Sequence, residues 1–240
     1  MSLHENVIAQ TPKWISTTPE EVVKEFMRVN NWYIKHTNYS VEFTHSSYEN
    51  YTTPVTFEKI NGYFYKNNNK YHNLLLGTHT IQNDKFKIVV DSLNKFILVA
   101  NPSAKNINAF EAAKYIENLS NCVALKKTDT GKEHKIRMEY DDEENIAAYE
   151  ITINIDGSIK NLVLFYNDIE EEEDDIPNHK KTTPTVAKPR INIAFNNYKL
   201  NPIFNYDAVF SETKYIIVSN KKITPQSKYK AFHISDQRLL

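Results

Sequence analysis

The residues of this chain best suited to chemistry are its histidines and its single cysteine. His45, His72 and His79 fall on three separate alternating segments, and no pair has the i, i+4 or short-loop spacing of a zinc site. Cys122 stands alone, so it can form no internal disulfide, and the cysteine count does not decide the compartment. We therefore predict no metal site, although the three histidines could converge in the fold.

Sequence motifs of known catalytic centres are also missing. The chain has no G-x-S-x-G elbow, no glycine-rich phosphate loop and no C-x-x-C pair. Carboxylates are common, but no two are placed so that one environment would raise one pKa and lower the other. A hydrolase would need a nucleophile beside a base, and the sequence places no such pair. We predict no catalytic residues, no enzyme activity and no cofactor.

Charge and hydropathy exclude two further classes of protein. The chain has 29 basic and 30 acidic residues, and its lysine pairs, which start at positions 126, 180 and 221, are scattered. Binding to nucleic acid needs a concentrated basic face, so we expect no such partner. No apolar run approaches the length of a membrane span. The first ten residues show no export signal, which fits either a cytosolic chain or the mature form of an exported one.

Residues 53–102 organise the predicted fold. Apolar and aromatic residues alternate there with polar turns between them, which predicts four or five strands in series. One face of the predicted strand is formed by the odd positions 55 and 57 and then by the even positions 60, 62 and 64. This shift from odd to even positions predicts a β-bulge near Lys59, with Gly62 allowing tight curvature. The asparagines 67–69 predict a turn, with residues 70–78 as the returning strand. Ile97 and Val99 make the last strand apolar on both sides, so something apolar must cover its second face.

Two helices are predicted beside these strands. Thr18 is an N-cap candidate before Pro19, Glu21 could complete a capping box, and an apolar stripe follows at helical spacing. The stripe either packs against the sheet as core or also acts as a movable lid over an apolar cavity. Asn108 could cap a second helix, which carries Phe110, Ala113, Ile116 and Leu119.

Further strands are predicted at residues 39–46, 123–126, 134–140, 146–155, 159–166, 190–198 and 215–218, the last of these closing the series. Asp156-Gly157 is a strong two-residue hairpin signal. The acidic run at 170–175 breaks the pattern, because like charges repel, and it predicts a flexible loop at about 168–189. The tail, about 227–240, is expected to be weakly structured. The fold class is therefore α+β and mainly antiparallel β.

The order of elements and several local motifs resemble the outer-membrane lipoprotein carrier family (LolA-like). Residues 62–66 (GYFYK) with Tyr71 match that family's glycine, alternating aromatics and basic residue before a hairpin turn. Residues 88–91 (IVVD), 95–99 (KFILV) with Asn101-Pro102, and 201–202 (NP) with Phe204 and Phe210 match its later segments. The family's arginine after the hairpin lysine, which ties the lid helices shut, is replaced here by Asn67.

This resemblance implies a single domain over residues 1–240, built as an incomplete, half-open β-barrel whose concave face is covered by helices. It implies a noncatalytic periplasmic carrier that holds the acyl chains of a lipid or an acylated protein, and it allows protein partners in the cell envelope. The alternative is a structural or adaptor protein of an envelope assembly, with the same fold and a cavity filled by its own helices. An open apolar cavity would favour the carrier.

The candidate residues follow from the apolar positions of the strands and of the first helix. The predicted cavity lining is Phe43, Phe57, Phe64, Tyr71, Leu75, Ile88, Val90, Phe96 and Leu98. The predicted lid residues are Val22, Phe26 and Val29. Sequence parity does not decide which face of each strand points inward.

Overall fold

The structure is a computed structural model that describes residues 13–104, 107–167, 188–220 and 222–238. Its first half contains β1 (Ile15–Ser16), α1 (Pro19–Lys35), β2 (Asn38–Tyr48), β3 (Glu58–Asn67), β4 (Lys70–Leu75), β5 (Thr78–Gln82), β6 (Lys87–Asp91) and β7 (Phe96–Ala100). The second half contains α2 (Ala112–Glu117), β8 (Ala124–Asp129), β9 (Glu133–Glu139), β10 (Ile146–Asn154), β11 (Ile159–Tyr166), β12 (Arg190–Leu200), α3 (Tyr206–Val209), β13 (Ile216–Ser219), β14 (Lys222–Pro225) and β15 (His233–Asp236).

Thirteen of these strands form one open sheet, in the order β1, β8, β9, β10, β11, β12, β2, β3, β4, β5, β6, β7 and β15. Neighbouring strands are antiparallel except for β15, which pairs in parallel with β7. The sheet does not close into a barrel, which confirms the predicted α+β fold with an open, mainly antiparallel half-barrel. No described helix is long and apolar enough to cross a membrane.

The helix α1 covers one face of the sheet, here called the helix face. Thr18 caps it as predicted, since its hydroxyl accepts a hydrogen bond from the Glu21 backbone N–H at 3.4 Å, and Pro19 occupies the first turn. The Glu21 carboxylate pairs with Lys127 at 2.8 Å, and it also has the contact with the Thr18 backbone N–H that a capping box predicts. The apolar stripe of α1 is buried against the sheet, and it consists of Val22, Phe26, Val29, Trp32 and Tyr33. Burying each such side chain contributes about 1.5–3 kcal/mol, so this contact fixes the helix.

The opposite face of β3–β7 is covered by the C-terminal part of the chain, and we call it the tail face. Ile81, Ile88, Val90, Ile97 and Val99 are buried there against Tyr215, Ile216 and Tyr229. This confirms that the last strand of the first half, now β7, is covered on its second side. The cover expected from a helix or a ligand is supplied by β13, β14 and a short 3-10 turn at Ser227–Tyr229.

The predicted β-bulge near Lys59 is wrong. The pairing of β2 with β3 runs without a shift from Ser47 opposite Glu58 to Asn38 opposite Asn67. The apparent change of parity arises because Val55 and Phe57 precede the strand and are exposed by 72% and 76%. Pro54, which has no backbone N–H to donate, lies at the start of this segment.

The strand predicted at residues 70–78 is divided in two. Leu76 and Gly77 both have positive φ, at 48° and 79°, between the paired residues Leu75 and Thr78. Two consecutive residues of this conformation form the two-residue turn whose twist suits a tight hairpin. The chain therefore turns back at Gly77 and forms β5. A hairpin is also present at Asp156-Gly157, but it is not the predicted two-residue turn: only Gly157 has a positive φ, at 96°, and the paired residues nearest the turn are Ile153 and Ile159.

The end of the chain is more ordered in its secondary structure than expected. Strands β14 and β15 follow β13, which was predicted to be the last strand, and β15 forms an edge of the large sheet. Its residues 233–236 obtain their hydrogen bonds from β7, a partner far away in sequence, so a local pattern carries little sign of them. The predicted loop at about 168–189, which includes the acidic run, lies outside the described residues apart from positions 188 and 189.

A glycine is needed at position 62 because neighbouring atoms come very close to its Cα, and not because its φ is positive. It lies opposite Phe43, and a Cβ at position 62 would overlap both the Phe43 ring and the backbone oxygen of Leu74. The Phe43 ring could rotate away from the new methyl group at little cost. The Leu74 backbone oxygen could move only if β3 and β4 separated, which is a costly form of overpacking.

We therefore expect Gly62→Ala to lower the free energy of unfolding by about 2–3 kcal/mol. Lys59→Ala, at an exposed position of the same strand, should change it by less than about 0.5 kcal/mol. Chemical denaturation followed by circular dichroism measures both changes. Equal stability of the two variants would contradict the close approach at Gly62.

Candidate functional site

A cavity of about 360 Å³ lies on the helix face in the middle of the sheet. Its floor comes from five adjacent strands, β11, β12, β2, β3 and β4, and its roof from residues 107–115. The lining residues are Phe43, Phe64, Asn73, Leu75, Ile107, Asn108, Ala109, Phe110, Glu111, Lys114, Tyr115, Leu162, Ile193 and Phe195. The volume lies at the lower end of the range of small-molecule pockets, about 300–1,000 Å³.

Strand register brings the floor residues together. Phe43 on β2 lies opposite Phe195 on β12, with ring centroids 6.0 Å apart, and Phe64 on β3 lies opposite Asn73 on β4. Side chains of residues paired in this way share a face of the sheet. Because Gly62 has no side chain, the Phe43 ring can lie over it.

The roof is a short segment held by aromatic contacts and by hydrogen bonds to the sheet. Phe110 and Tyr115 stack at 4.9 Å, and Tyr115 approaches Phe26 of α1 at 5.9 Å. The Ala109 backbone N–H donates to the hydroxyl of Tyr39 at 3.0 Å. The helix in this roof, α2, has only 6 residues, so its position depends on these contacts more than on its own helical stability.

Lys66 ties the roof to the sheet from below. Its side chain is almost completely buried, and its ammonium group donates to the backbone oxygen of Ile107 at 2.6 Å and to Asn108 Oδ1 at 2.9 Å. Burial lowers the pKa of Lys66 to about 8, so the group is still mostly protonated at pH 7 and can make both bonds. Asn108 is therefore not the predicted N-cap, since Glu111 occupies that position of α2 and makes no side-chain capping bond.

Polar side chains lie together at one part of the cavity wall. Asn73, Asn108, Glu111 and Lys114 are all lining residues, and Lys114 pairs with Glu111 at 3.1 Å. The Lys114 side chain is 70% exposed, so this part of the wall meets solvent. An apolar chamber with a polar, solvent-facing end can hold a molecule that has an apolar chain and a polar group.

The nine residues predicted to line the cavity are divided between the cavity, other parts of the helix face, the tail face and an exposed segment. Phe43, Phe64 and Leu75 do line it. Tyr71 lies on the same face, buried and stacked against Phe64 at 5.9 Å, but it is not a lining residue.

The other five predicted lining residues lie elsewhere. Phe96 and Leu98 are on the helix face of β7, three strands away from β4, whereas Ile88 and Val90 point to the tail face. Phe57 lies in the exposed segment before β3. The prediction mixed the two faces because the observed pairs are Ile88 with Val99 and Val90 with Ile97, not with Phe96 or Leu98.

The predicted lid residues Val22, Phe26 and Val29 are exposed by 1% or less and do not line the cavity. They form the fixed core contact of α1, and the roof comes from residues 107–115 instead. Sequence reasoning missed the lining residues of the second half of the chain, Leu162, Ile193 and Phe195. Their alternation along two predicted strands was a signal, but only the pairing of β12 with β2 brings them beside Phe43.

Two of the three candidate histidines meet under the C-terminal cover. His72 Nε2 lies 3.2 Å from His79 Nδ1 and 3.1 Å from the Tyr63 hydroxyl, while the Tyr215 hydroxyl is 3.5 Å away. His45 lies on β2 and does not join them. Among the residues described, no group of three or more histidine, cysteine and acidic side chains is arranged to hold a metal ion.

No protein-family model and no curated protein sequence matches the chain. The chain is similar to LolA-superfamily structures. A LolA superfamily protein from Nitrosomonas europaea is 7% identical with a TM-score of 0.32, and the match covers 82% of this chain and 99% of that one. A DUF1329 family protein from Desulfovibrio piger ATCC 29098 is 8% identical with a TM-score of 0.33 and the same coverage, 82% and 99%.

A domain from Vibrio parahaemolyticus described as an outer membrane lipoprotein-sorting protein is 9% identical with a TM-score of 0.29, and the match covers 78% of this chain and 96% of that one. At such values the likeness concerns the fold and carries no information about function.

We expect Lys66→Met to loosen the roof of the cavity, because the Ile107 oxygen and the Asn108 side chain lose a buried donor. Backbone amides of residues 109–117 should exchange their hydrogens about tenfold faster or more. Hydrogen–deuterium exchange with mass spectrometry measures this rate. Lys59→Met makes the same chemical change at an exposed site of β3 and should leave the roof unaffected. Unchanged exchange in Lys66→Met would show that the aromatic contacts and the bond from Ala109 to Tyr39 hold the roof without Lys66.

We also expect the chain to lose stability in mild acid. Burial, assisted by the nearby His79, lowers the pKa of His72 from 6.5 to about 4. Between pH 6.5 and pH 4 this histidine is protonated in the unfolded chain but not in the folded one. The free energy of unfolding is therefore unaffected by His72 above pH 6.5 and decreases as the pH falls from 6.5 to 4. The loss from this group is on the order of 3 kcal/mol.

Denaturation curves recorded from pH 7 to pH 4 test this dependence. His72→Gln should reduce the loss, because glutamine does not titrate in this range, whereas His233→Gln, at an exposed position of β15, should retain it. An identical loss in both variants would assign the acid sensitivity to other groups.

Proposed function

We propose that this protein is a noncatalytic carrier that holds one acyl chain of a lipid or of an acylated protein in the cavity on the helix face. The observation that carries the proposal is an apolar cavity across five strands, left uncovered by α1 and roofed by a short segment. Its apolar lining needs no directional contact with the chain, since about 0.8 kcal/mol is gained per buried methylene group.

The geometry of the roof supports loading and release. The roof contains a 6-residue helix and is joined to the sheet by the buried Lys66, so it can move without disturbing the core contact of α1. A carrier needs such an arrangement, because a chain held without an opening could not be transferred. In this proposal Lys66 supplies the bond between hairpin and roof that the missing arginine after position 66 would provide in the carrier family.

The size of the cavity favours a single chain. At about 360 Å³ the space is close to the minimum for a small-molecule pocket, so a ligand with several chains would have to leave some of them outside. The proposed place of action is the periplasm, where acylated molecules must be shielded from water on their way through the cell envelope. The adaptor alternative requires a cavity filled by the protein's own helices, and the uncovered lining argues against it.

The proposal predicts that affinity depends on chain length. Glycol monoesters with acyl chains of eight, ten and twelve carbons should bind about fourfold more tightly for each added methylene group, as long as the cavity accommodates it. Isothermal titration calorimetry below the critical micelle concentration measures these affinities. Binding that is absent, or independent of chain length, would contradict the carrier proposal.

A matched pair of variants locates the binding site. Ile193→Trp adds bulk to a lining residue and should abolish binding, because the indole would occupy the space of the chain. Ala194→Trp adds bulk at the neighbouring position of β12, which points to the other face, and should retain binding. Equal binding by both variants would show that the chain binds elsewhere.

A further inference from the structure

A groove of about 420 Å³ lies on the tail face, beside the part that the C-terminal segment covers. Its floor comes from β12, β2, β3 and β4. Tyr65 lines the groove and contacts Phe204 at the start of the covering segment, with ring centroids 5.8 Å apart. The other tail-face side chains used below are Glu42, Asn61, Tyr63 and Asn197. The groove and the cavity of the helix face are therefore on opposite sides of the sheet.

A β-bulge in β12 shapes one wall of this groove. The register of β12 against β2 shifts between Asn196 and Lys199, and Asn197 has a positive φ of 53°. A bulge re-aims a side chain that a regular strand would point elsewhere. Here the side-chain amide of Asn197 donates to Glu42 Oε2 at 2.7 Å, so the bulge holds the carboxylate in place at the groove.

Three polar side chains of the groove each keep a group available to a ligand. Glu42 Oε2 accepts from Asn197, and Asn61 Oδ1 accepts from the Thr44 hydroxyl at 3.0 Å. Within the described part of the chain, these bonds leave Glu42 Oε1 and Asn197 Oδ1 as acceptors and the Asn61 amide N–H groups as donors. All three residues are exposed, so a ligand in the groove can contact them.

An aromatic ring lies next to these polar groups. Tyr63 and Tyr65 stack with ring centroids 4.5 Å apart and planes at 12°, so each ring covers one face of the other. The Tyr63 hydroxyl lies 3.1 Å from His72 Nε2, which fixes the ring. Residues 61, 63 and 65 follow one another on this face of β3, so the other face of the Tyr63 ring turns toward Asn61.

This combination of groups discriminates between classes of ligand. No lysine or arginine lines the groove, and the carboxylate of Glu42 disfavours phosphates and other anions. An added peptide strand needs a free sheet edge, but β2 is paired on both sides, with β12 and β3. A cation would leave the Asn61 N–H groups unused, and it would meet a single free ring face.

We propose that the groove binds a neutral pyranose residue of a glycan. A pyranose ring has C–H groups on its faces and hydroxyls around its rim, and each hydroxyl can both donate and accept. In this arrangement the C–H face lies on the free face of Tyr63, while neighbouring hydroxyls donate to Glu42 Oε1 and accept from the Asn61 amide. The inference goes beyond the proposed carrier function and does not rest on it, because the acyl cavity lies on the other face of the sheet.

Titration of the amide NMR signals with simple glycosides tests this proposal. The probes are the methyl β-glycosides of glucose, galactose and N-acetylglucosamine, and methyl α-mannoside. One or more of them should shift the side-chain amide signals of Asn61 and Asn197, with a dissociation constant of about 1 mM. Unchanged signals with every probe at about 50 mM would overturn the proposal. Larger shifts with tetramethylammonium than with the glycosides would indicate a cation site and would also overturn it.

Two pairs of variants assign the contacts. Glu42→Gln keeps the size of the side chain but removes its charge, and it should weaken binding about tenfold. Glu58→Gln makes the same change at an exposed position of β3 that points to the helix face, and it should bind like the wild-type chain. Tyr63→Leu should also weaken binding about tenfold, whereas Tyr63→Phe, which keeps the ring, should retain it.

The exposed position of Glu42 makes its variant the deciding one, because this substitution does not disturb the core. Wild-type affinity in Glu42→Gln, or an equal loss in Glu42→Gln and Glu58→Gln, would overturn the assignment to this groove. None of the probes carries an acyl chain, so failure of the glycan proposal leaves the carrier function standing, and failure of the carrier function leaves the glycan proposal standing.

Discussion

The constraint on which this structure depends is that its sheet carries apolar side chains on both faces, along the middle strands on the helix face and along β5–β7 on the tail face, so two layers of chain must cover one sheet. The helix α1 covers part of the helix face, and β13, β14 and the adjacent turn cover the tail face of β5–β7. The helix-face cover ends before the middle strands are fully buried, and the cavity lies there. The proposed binding site is thus the part of the apolar surface that the chain covers only with a short, tied segment.

The polar groups at this site are placed by the same strands that bury the core. Lys66 lies opposite Tyr71, and Phe64 lies opposite Asn73, so one hairpin supplies both the bond to the roof and part of the cavity floor. A buried ammonium group is costly unless it is hydrogen-bonded, and the bonds of Lys66 to residues 107 and 108 offset that cost. The hairpin therefore couples the position of the roof to the floor of the cavity.

Local pattern was sufficient for much of the fold. The capped helix after Thr18, the strands of the second half and the Asp156-Gly157 hairpin all follow from short-range rules, and the structure has them close to where they were expected. The errors occur where the local pattern was ambiguous. Val55 and Phe57 continue the apolar alternation of β3 but lie before the strand begins. Gly77 ends β4 in a turn, although the residues around it have the pattern of a continuous strand.

The candidate site was predictable only in part, for the same reason. Alternation along β2 and β3 identified Phe43 and Phe64, and along β6 it identified Ile88 and Val90 as one face, but it could not say that these two faces are opposite sides of the sheet. That relation depends on turn lengths and strand registers summed over β3 to β6. The residues of the roof were recognised as a helix, although their cap and their tie to Lys66 were not.

By itself the sequence determined the class of elements, the absence of known catalytic motifs and the excess of apolar strand surface, because these depend on residues close together in the chain. Tertiary structure alone decided that β12 lies beside β2 and that Leu162, Ile193 and Phe195 complete the cavity. The physical reason is that pairing between distant strands is a property of what surrounds a residue in space.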